Sequence, residues 1–505
     1  MNDDLTAAET SRRRFVFSGL ATVGLAGCGG GGSGGGSVPM MSGSPSSAAT
    51  VQESDVLVSG GQAWKSLPLL ANESDETGAF VGSLTAAPAS MALTPGLRTQ
   101  ILGYNGTTPG PMIEAYEGDR VRVAFVNRLG QDSTVHWHGM PIPADQDGNP
   151  MDPVTSGGSR DYAFALPGGS AGSYWYHPHP HHTTHEQVFR GLASAFVIRS
   201  RTDPLASLPE RIVFITDLRL DAQGQIAANT AADFSNGREG DQLLVNGARQ
   251  PVDMVAPGQT ERWRIYNATN ARYLQIVLDG ASMIVVALDS SMLAAPKAAS
   301  ALLLAPAQRA DIVVRAPVSA NQRVTARTVA YNRGMGIPVK PAETLFGLTT
   351  SAGPAVPAFV MPSTLPSPPA IGAPQRTQTV VLNDMGMGMG MGMGGSFTIN
   401  GRLFDPGRDD LTMRAGIPEE WNVRNGGMMD HPLHIHGCAF QLVASTRSDI
   451  ASDPRLGAFM DTVNVRSGES LRLRVQIDTP GRRMFHCHIL EHEDQGMMAI
   501  VNVLP

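Results

Sequence analysis

Cysteine, charge and long apolar runs are all scarce in this chain. Three cysteines in 505 residues are too few for a disulfide framework. Charged residues make up 16% of the sequence and the formal net charge is −7, which argues against a nucleic-acid partner. After the first 28 residues no apolar run is long enough to span a membrane as a helix. What the chain does contain is an unusual distribution of histidine, glycine and methionine.

The first 28 residues are predicted to be an export signal. Arg12 and Arg13 precede a short apolar run, a pattern similar to a twin-arginine signal. The residues ending at Cys28 resemble a lipoprotein processing site with Cys28 as the lipid-bearing residue, and ordinary cleavage nearby is the alternative. Residues 29–53 are rich in Gly and Ser and predict a flexible tether. We therefore expect export by the twin-arginine route to the periplasm or cell surface, with membrane contact only through a lipid at Cys28.

Histidine is confined to four short segments. None of the thirteen histidines occurs in residues 1–135 or 186–430. Successive side chains of a strand point to opposite faces, so an H-x-H pair presents two imidazoles on one side. Four such pairs in one chain indicate metal binding rather than ordinary core histidines. The segments are His136-Trp137-His138; His177-Pro178-His179 with His181, His182 and His185; His431-Pro432-Leu433-His434-Ile435-His436; and His486-Cys487-His488 with His492.

The last segment has the composition of a blue-copper centre, which takes two histidines, a cysteine and a weakly bound methionine. On a strand Cys487 points away from the histidines on either side of it, and His492 and Met497 follow closely enough to return to it. His431 is left over from the pairs and completes the set. The eight paired imidazoles are enough for three further copper ions. Outside this count, we expect His181, His182 and His185 to be solvated loop residues and Cys438 to be a buried free thiol.

A repeated strand pattern divides the chain into three parts. Nine positions separate a glycine from an asparagine in Gly118–Asn127, Gly258–Asn267 and Gly416–Asn425, and the first of these segments alternates as a half-buried strand should. Short alternating strands between turn signals predict an all-β fold of β-sandwiches. We place the three domains at residues 54–203, 204–364 and 365–505.

The same repeat predicts which domains hold metal. Nine and eleven residues after the asparagine lie His136 and His138 in the first copy, and the third copy has its own H-x-H pair there. The second copy has Ile276 and Leu278 instead. The paired histidines of the first and third domains should therefore meet at their interface, with the second domain as a spacer without ligands.

The four histidine segments resemble the copper signatures of the multicopper oxidases, and most of all those of the bacterial cuprous oxidase and laccase branch. The motifs are HWHG at 136–139, WYHPH at 175–179, HPLHIHG at 431–437 and HCHILEHEDQGMM at 486–498. The resemblance implies three cupredoxin-like domains and four copper ions: one type 1, one type 2 and a type 3 pair. It assigns type 1 copper to His431, Cys487, His492 and Met497, type 2 to His136 and His434, and type 3 to His138, His177, His179, His436, His486 and His488.

Two acids and a methionine-rich stretch add to this assignment. The resemblance marks Asp147 and Glu493 as carboxylates that deliver protons to the cluster. Thioethers favour Cu(I), so the methionines predict a further Cu(I) site near type 1 copper, and a passive, oxidation-prone loop is the alternative. These methionines are Met385, Met387, Met389, Met391 and Met393, which alternate with glycine, and Met428 and Met429, which precede His431.

The sequence therefore predicts an enzyme that takes single electrons from a reduced substrate at type 1 copper and reduces O₂ to water at a three-copper cluster. Cu(I) is favoured as the substrate, with a role in copper tolerance, and a laccase acting on phenols is the first alternative. A copper-storage protein without turnover would not explain a thiolate between two imidazoles. A copper-free envelope relative should have lost ligands, and all ten candidate histidines and Cys487 are present. A monomer is expected.

Overall fold

The computed structural model describes residues 61–94, 97–334, 336–384 and 397–505. Within these residues the regular structure is almost entirely β-strand, which confirms the predicted fold class. No helix among them is both long enough and apolar enough to span a membrane. The predicted signal and tether, Cys28, and the Met385–Met393 run lie outside the described residues. The helices are α1 (Thr184–Phe189), α2 (Ala231–Asn236) and α3 (Leu490–Asp494), with 3₁₀ turns at Ala144–Gln146 and Ile450–Ser452.

The strands form three successive pairs of sheets, which we call the first, second and third sandwich. The first sandwich has two four-stranded sheets, in the orders β2-β1-β4-β6 and β3-β8-β7-β5. Its strands are β1 (Ala79–Thr94), β2 (Leu97–Tyr104), β3 (Ile113–Tyr116), β4 (Arg120–Asn127), β5 (His136–His138), β6 (Ser159–Ala165), β7 (Gly172–His177) and β8 (Ser194–Arg199).

The second sandwich has a six-stranded and a five-stranded sheet, in the orders β10-β9-β12-β17-β14-β15 and β11-β19-β18-β13-β16. Its strands are β9 (Glu210–Leu218), β10 (Gln242–Val245), β11 (Val252–Val255), β12 (Thr260–Asn267), β13 (Leu274–Asp279), β14 (Met283–Leu288), β15 (Ser291–Ala299), β16 (Leu302–Leu304), β17 (Arg309–Arg315), β18 (Arg323–Val329) and β19 (Glu343–Thr350).

The third sandwich repeats this plan, with sheet orders β21-β20-β23-β28-β25-β26 and β22-β30-β29-β24-β27. Its strands are β20 (Arg376–Asn383), β21 (Thr398–Ile399), β22 (Leu411–Arg414), β23 (Glu419–Asn425), β24 (His431–Ile435), β25 (Phe440–Ser445), β26 (Phe459–Met460), β27 (Thr462–Val465), β28 (Ser470–Val475), β29 (Gly481–Cys487) and β30 (Met498–Leu504). The predicted domain boundaries near 203 and 365 fall between the strands of adjacent sandwiches, and their exact positions stay a prediction.

The repeated glycine–asparagine segment occupies the same place in all three sandwiches. It forms β4, β12 and β23, and each of these strands runs parallel to the first long strand of its own sheet. The closing asparagine has one role throughout: its amide Nδ2 donates to two backbone carbonyls, at 2.8–2.9 Å. Its Oδ1 accepts the backbone N–H two residues ahead. The asparagine therefore fixes the turn that leads towards the histidine-bearing strands of the first and third sandwiches.

Apolar residues from both sheets of each sandwich pack between them. In the first sandwich, Phe125 of β4 shares a buried cluster with Tyr176 of β7 and Phe196 of β8. In the second and third, Trp263 and Trp421 stand at the same position of the repeat and are almost fully buried. The repeat strands β4 and β23 alternate between buried and more exposed residues, as the sequence pattern predicts, whereas almost every residue of β12 is buried.

Candidate metal centres

Strand pairing brings the H-x-H pairs together two by two. In the first sandwich β5 runs antiparallel to β7, and His136 lies opposite His177. In the third sandwich β24 runs antiparallel to β29, and His434 lies opposite His486. All eight paired imidazoles are fully buried. The register of two short strand pairs therefore builds two four-histidine faces.

These two faces meet between the first and third sandwiches. The rings of His136 and His436 stack with centroids 3.9 Å apart, and those of His138 and His434 stack at 3.7 Å. The Nε2 atoms of His179 and His486 are 3.2 Å apart, and those of His436 and His486 are 3.1 Å apart. The predicted meeting of the paired histidines at this interface is what the structure shows.

The nitrogen atoms fall into compact groups that fit metal ions. Donors arranged tetrahedrally at about 2.0–2.1 Å from one ion lie roughly 3.3 Å apart, close to the observed Nε2 separations. The groups are His138, His177 and His488; His179, His436 and His486; and His136, His434 and His436. The first two groups correspond to the predicted type 3 ligands, and the third contains the predicted type 2 pair.

Hydrogen bonds select the tautomer that leaves Nε2 free for a metal. Nδ1 of His136 lies 2.8 Å from the Asp147 carbonyl, and Nδ1 of His434 lies 2.8 Å from the Asp461 carbonyl. A carbonyl oxygen can only accept, so each Nδ1 carries the proton. The Nε2 atoms of both rings have no protein partner within the described residues. In these two rings the nitrogen without a hydrogen-bond partner, Nε2, is therefore the one that a metal would bind.

Burial favours the neutral form of seven of the eight paired imidazoles. It lowers the pKa of His179 and His486 to about 3. Burial, together with the neighbouring imidazoles, also places the pKa values of His138, His177, His434, His436 and His488 well below the usual range. A histidine must be neutral to bind a metal, so the cluster does not need to lose protons first at neutral pH.

Three buried carboxylates surround the cluster, and each contacts one histidine of the first sandwich and one of the third. The contacts are Asp147 with His136 (3.2 Å) and His436 (2.9 Å), Asp461 with His138 (3.5 Å) and His434 (3.7 Å), and Glu493 with His179 (3.5 Å) and His486 (3.0 Å). Burial raises the pKa of Glu493. The structure thus places the predicted Asp147 and Glu493 beside the cluster and adds Asp461 to them.

A second centre lies on the other face of β29, around Cys487. Its sulfur is 3.4 Å from Nδ1 of His431 and 3.9 Å from Nδ1 of His492. These three residues form a further buried group that could hold a metal, and the side chain of Met497 is buried in the same core. Burial raises the pKa of the Cys487 thiol, and a bound metal would favour the thiolate. The set has the donors of a blue-copper site.

The two centres are covalently joined because Cys487 lies between His486 and His488. The centres also differ in the nitrogens they present: Nδ1 of His431 and His492 faces the cysteine sulfur, whereas Nε2 is the free nitrogen of His136 and His434 in the cluster. Nε2 of His492 lies 3.3 Å from the Ser235 carbonyl, so it donates there and Nδ1 is free. Electrons arriving at Cys487 would have a direct covalent route to the cluster.

The outer edge of the cysteine site is His431. Its Nε2 has no hydrogen-bond partner in the described residues and lies 3.6 Å from Oδ2 of Asp384. The Asp384 carboxylate accepts the backbone N–H groups of Met428 (2.9 Å) and Met429 (3.1 Å). Gly427 allows this approach, since a Cβ there would collide with the same carboxylate. An anion and two methionines therefore lie next to Nε2 of the buried His431.

The structure also bears on predictions for residues outside the main ligand set. Cys438 is a buried free thiol, as predicted. The expectation that all three extra histidines are solvated loop residues is wrong for His185, which lies in α1, with its Nδ1 2.6 Å from Oδ2 of Asp494. Asp384 and Asp461 were not identified from the sequence. The position of Asp384 directly before the methionine–glycine run was the one available signal for it.

Comparison with known proteins agrees with this geometry. Three sequence families, each described as multicopper oxidase, match residues 85–203, 215–334 and 373–505. The multicopper oxidase mco of Staphylococcus haemolyticus is 30% identical over 413 residues, covering 80% of this chain and 83% of that protein. The cell division protein FtsP of Escherichia coli is 31% identical over 376 residues, covering 71% and 76%. A solved structure, the multicopper oxidase from Campylobacter jejuni, described as a metallo-oxidase, is 38% identical with a TM-score of 0.81 and covers 88% of this chain and 96% of that one.

Proposed function

This chain belongs to the multicopper oxidase family, and we propose that it oxidises Cu(I) at a type 1 copper and reduces O₂ to water at a three-copper cluster. Family membership makes it a copper-dependent oxidoreductase that uses O₂. The copper types, their number and the substrate are the proposal. Its support is the donor chemistry at the two centres and the surroundings of His431.

The proposed ligand sets follow the observed groups. Type 1 copper takes His431, Cys487, His492 and Met497; type 2 takes His136 and His434; and the type 3 pair takes His138, His177, His179, His436, His486 and His488. When bound, the copper ions would accept electrons singly from the substrate and deliver four to O₂. The protein's part is to hold neutral imidazoles in place, to exclude water and to supply protons.

The buried acids are suited to proton supply. Glu493 lies between His179 and His486, and its raised pKa means that it keeps a proton to higher pH than an exposed glutamate does. Asp147 holds the corresponding position beside His136 and His436. Reduction of O₂ at a buried site requires proton donors beside the cluster, so we assign Glu493 and Asp147 to proton delivery.

One observation favours Cu(I) over phenols: the Asp384 carboxylate at the Nε2 edge of His431. A carboxylate and thioethers attract a cuprous ion, whereas a neutral phenol gains little from a negative charge at that place. Met428 is 46% exposed next to this carboxylate, so a soft donor is available to solvent. The solved Campylobacter jejuni relative is described as a metallo-oxidase, which is consistent with a metal substrate. A laccase acting mainly on phenols is the second candidate, and copper storage without turnover the third.

The N-terminal sequence supports a proposal for the location of the enzyme. We propose export by the twin-arginine route, a lipid anchor at Cys28 and a monomeric enzyme in the periplasm or at the cell surface that contributes to copper tolerance. The twin-arginine pair, the apolar run and the Gly/Ser-rich tether support this part of the proposal.

The decisive experiment compares Cys487→Ser with Cys438→Ala, a change at the other buried thiol. In copper-loaded protein Cys487→Ser should abolish the intense absorption near 600 nm (roughly the thiolate-to-copper band of a His₂Cys site) and stop O₂ uptake with every substrate. Cys438→Ala should keep both. Retained blue colour in Cys487→Ser, or wild-type protein that binds copper without consuming O₂, would contradict the proposal.

A further inference from the structure

The second sandwich supplies none of the candidate ligands, yet it reaches the cluster through Arg309 at the start of β17. The Arg309 side chain is 1% exposed. Its Nη1 donates to Oδ1 of Asp461 at 2.7 Å and its Nη2 to Oδ2 at 2.6 Å. Two parallel hydrogen bonds fix a carboxylate in both position and plane, which a single ammonium group cannot do.

Arg309 also contacts the other two sandwiches. Its Nε donates to the Ser173 carbonyl of β7 at 3.0 Å, and its Nη1 donates to the Ala307 carbonyl at 3.2 Å. Burial by itself would lower the pKa of Arg309, but the carboxylates of Asp461 and Asp289 hold that pKa above its usual value, so the side chain is charged. One guanidinium therefore joins all three sandwiches beside the cluster.

Asp289, in the turn between β14 and β15, holds the backbone on both sides of this contact. Its Oδ1 accepts the backbone N–H of Arg309 at 3.0 Å. Its Oδ2 accepts the backbone N–H groups of Asp461 (3.0 Å) and Thr462 (3.1 Å). The second sandwich thus fixes both the side chain and the main chain of Asp461.

Asp461 in turn contacts two candidate ligands from different sandwiches. Its carbonyl accepts Nδ1–H of His434 at 2.8 Å, and its Oδ1 lies 3.5 Å from Nδ1 of His138. Gly139, next to His138, leaves room for this arrangement, because a Cβ there would collide with the Asp461 carboxylate and lie 3.1 Å from Nη2 of Arg309. A shift of Asp461 would therefore alter the orientation of both imidazoles.

We propose that Arg309 is a positioning residue through which the second sandwich, by way of Asp461, orients His138 and His434. The inference rests on the proposed function, because it treats these two histidines as copper ligands. Partners that bind the outer nitrogen of a metal-binding histidine typically change metal affinity about 10- to 100-fold. The middle sandwich is then part of the copper site and not only a spacer.

Arg262 of β12 provides a matched control. It is also a buried arginine of the second sandwich, 2% exposed, and it pairs with Asp311 at 2.5 Å and Asp203 at 2.6 Å. In the described residues neither of these acids is paired with a candidate copper ligand. Its loss removes a comparable buried ion pair without touching the cluster.

The test uses copper-loaded full-length protein carrying Arg309→Lys or Arg262→Lys. A lysine keeps the positive charge, so the acids are not left without a cation, but it cannot bind both oxygens of Asp461. Copper retained against a graded chelator, the type 2 electron paramagnetic resonance signal and the blue band are measured together. Asp289→Asn is a second variant. It disturbs the hydrogen bonds between the Asp289 carboxylate and the backbone, and it leaves the pair of Arg309 and Asp461 intact.

We expect Arg309→Lys to lose cluster copper at about 10- to 100-fold lower chelator concentration, with a changed type 2 signal and an unchanged blue band. Asp289→Asn should shift in the same direction, and Arg262→Lys should match wild type in all three readouts. If Arg309→Lys retained copper and gave the type 2 signal as the wild-type protein does, the inference would be overturned. So would parallel loss of copper and thermal stability in Arg309→Lys and Arg262→Lys, which would indicate only a structural contact. Wild-type protein with a blue band but no type 2 signal or O₂ uptake would instead refute the proposed function.

Discussion

The substrate proposal depends most directly on the charge of Asp384, and Asp384→Asn tests it. The amide oxygen can still accept the backbone N–H groups of Met428 and Met429, so the variant changes charge with little change in shape. Burial opposes ionisation of Asp384, but the neighbouring His431 imidazole and the backbone N–H groups of Met428 and Met429 lower its pKa below the usual value. The wild-type residue is therefore an anion at neutral pH.

The size of the effect follows from Coulomb's law. A unit charge about 4 Å from a cation contributes ~1 kcal/mol in bulk water and ~4 kcal/mol at an effective dielectric constant of about 20. The Asp384 side chain is 5% exposed but lies beside Met428, which is 46% exposed, so the expected loss falls between these limits, at ~1 to 2.7 kcal/mol. That loss corresponds to a roughly 5- to 100-fold rise in KM for Cu(I). A neutral phenol should show almost no change.

The assay is steady-state O₂ uptake with Cu(I) and, separately, with a neutral phenol. Asp161→Asn is the control, since Asp161 is an exposed acid paired with Arg122 on the first sandwich. The blue band should be the same in wild type and both variants, which shows that type 1 copper is intact. A Cu(I) KM within twofold of wild type, or an equal rise for the phenol, would refute the assignment of Asp384 to Cu(I) binding.

Two further predictions concern segments outside the described residues. Deleting residues 385–394 should raise KM for Cu(I) without changing the blue band or O₂ reduction, because it removes the soft donors that the sequence assigns to Cu(I) binding. Unchanged Cu(I) kinetics would identify a passive loop and favour a laccase. If Cys28 carries a lipid, wild-type protein should fractionate with membranes, and Cys28→Ala should release the protein or block its processing. Wholly soluble wild-type protein with another mature N-terminus would contradict the lipid anchor. Replacing Arg12 and Arg13 with lysine should halt export in either case.

The fold and the grouping of the candidate ligands could be predicted because their signals are local. A strand places alternate residues on one face, so each H-x-H pair indicates two donors from three residues of sequence. The repeated asparagine has one hydrogen-bonding role in three places, at Asn127, Asn267 and Asn425, which is why its spacing marked three copies of one unit. Both features are complete within about ten residues of chain.

The residues around the ligands could not be predicted in the same way. Arg309 and Asp461 are 152 positions apart and belong to different sandwiches, so no spacing relates them. Asp461 itself is the single residue between two short strands, β26 and β27, where a lone acid is more often a turn residue. Asp384 reaches His431 only because β20 ends beside the loop that leads into β24, and that depends on the packing of the third sandwich. Long-range contacts of this kind follow from the assembled fold and not from local pattern.

The arrangement of acids explains why a three-sandwich chain would keep a middle copy without ligands. Each carboxylate at the cluster joins one histidine of the first sandwich to one of the third, so neither sandwich holds a complete set of ligands and hydrogen-bond partners alone. The geometry of the cluster is therefore set by how these two sandwiches dock.

Arg309 and Asp289 bind the docking region from the second sandwich, through the Ser173 carbonyl on one side and Asp461 on the other. Moving the second and third sandwiches apart would leave the buried charges of Arg309 and Asp461 without partners, which is costly. The apolar Ile276 and Leu278 stand where the other copies carry ligands, and the contribution of the second sandwich to the cluster comes from the opposite sheet, through Arg309.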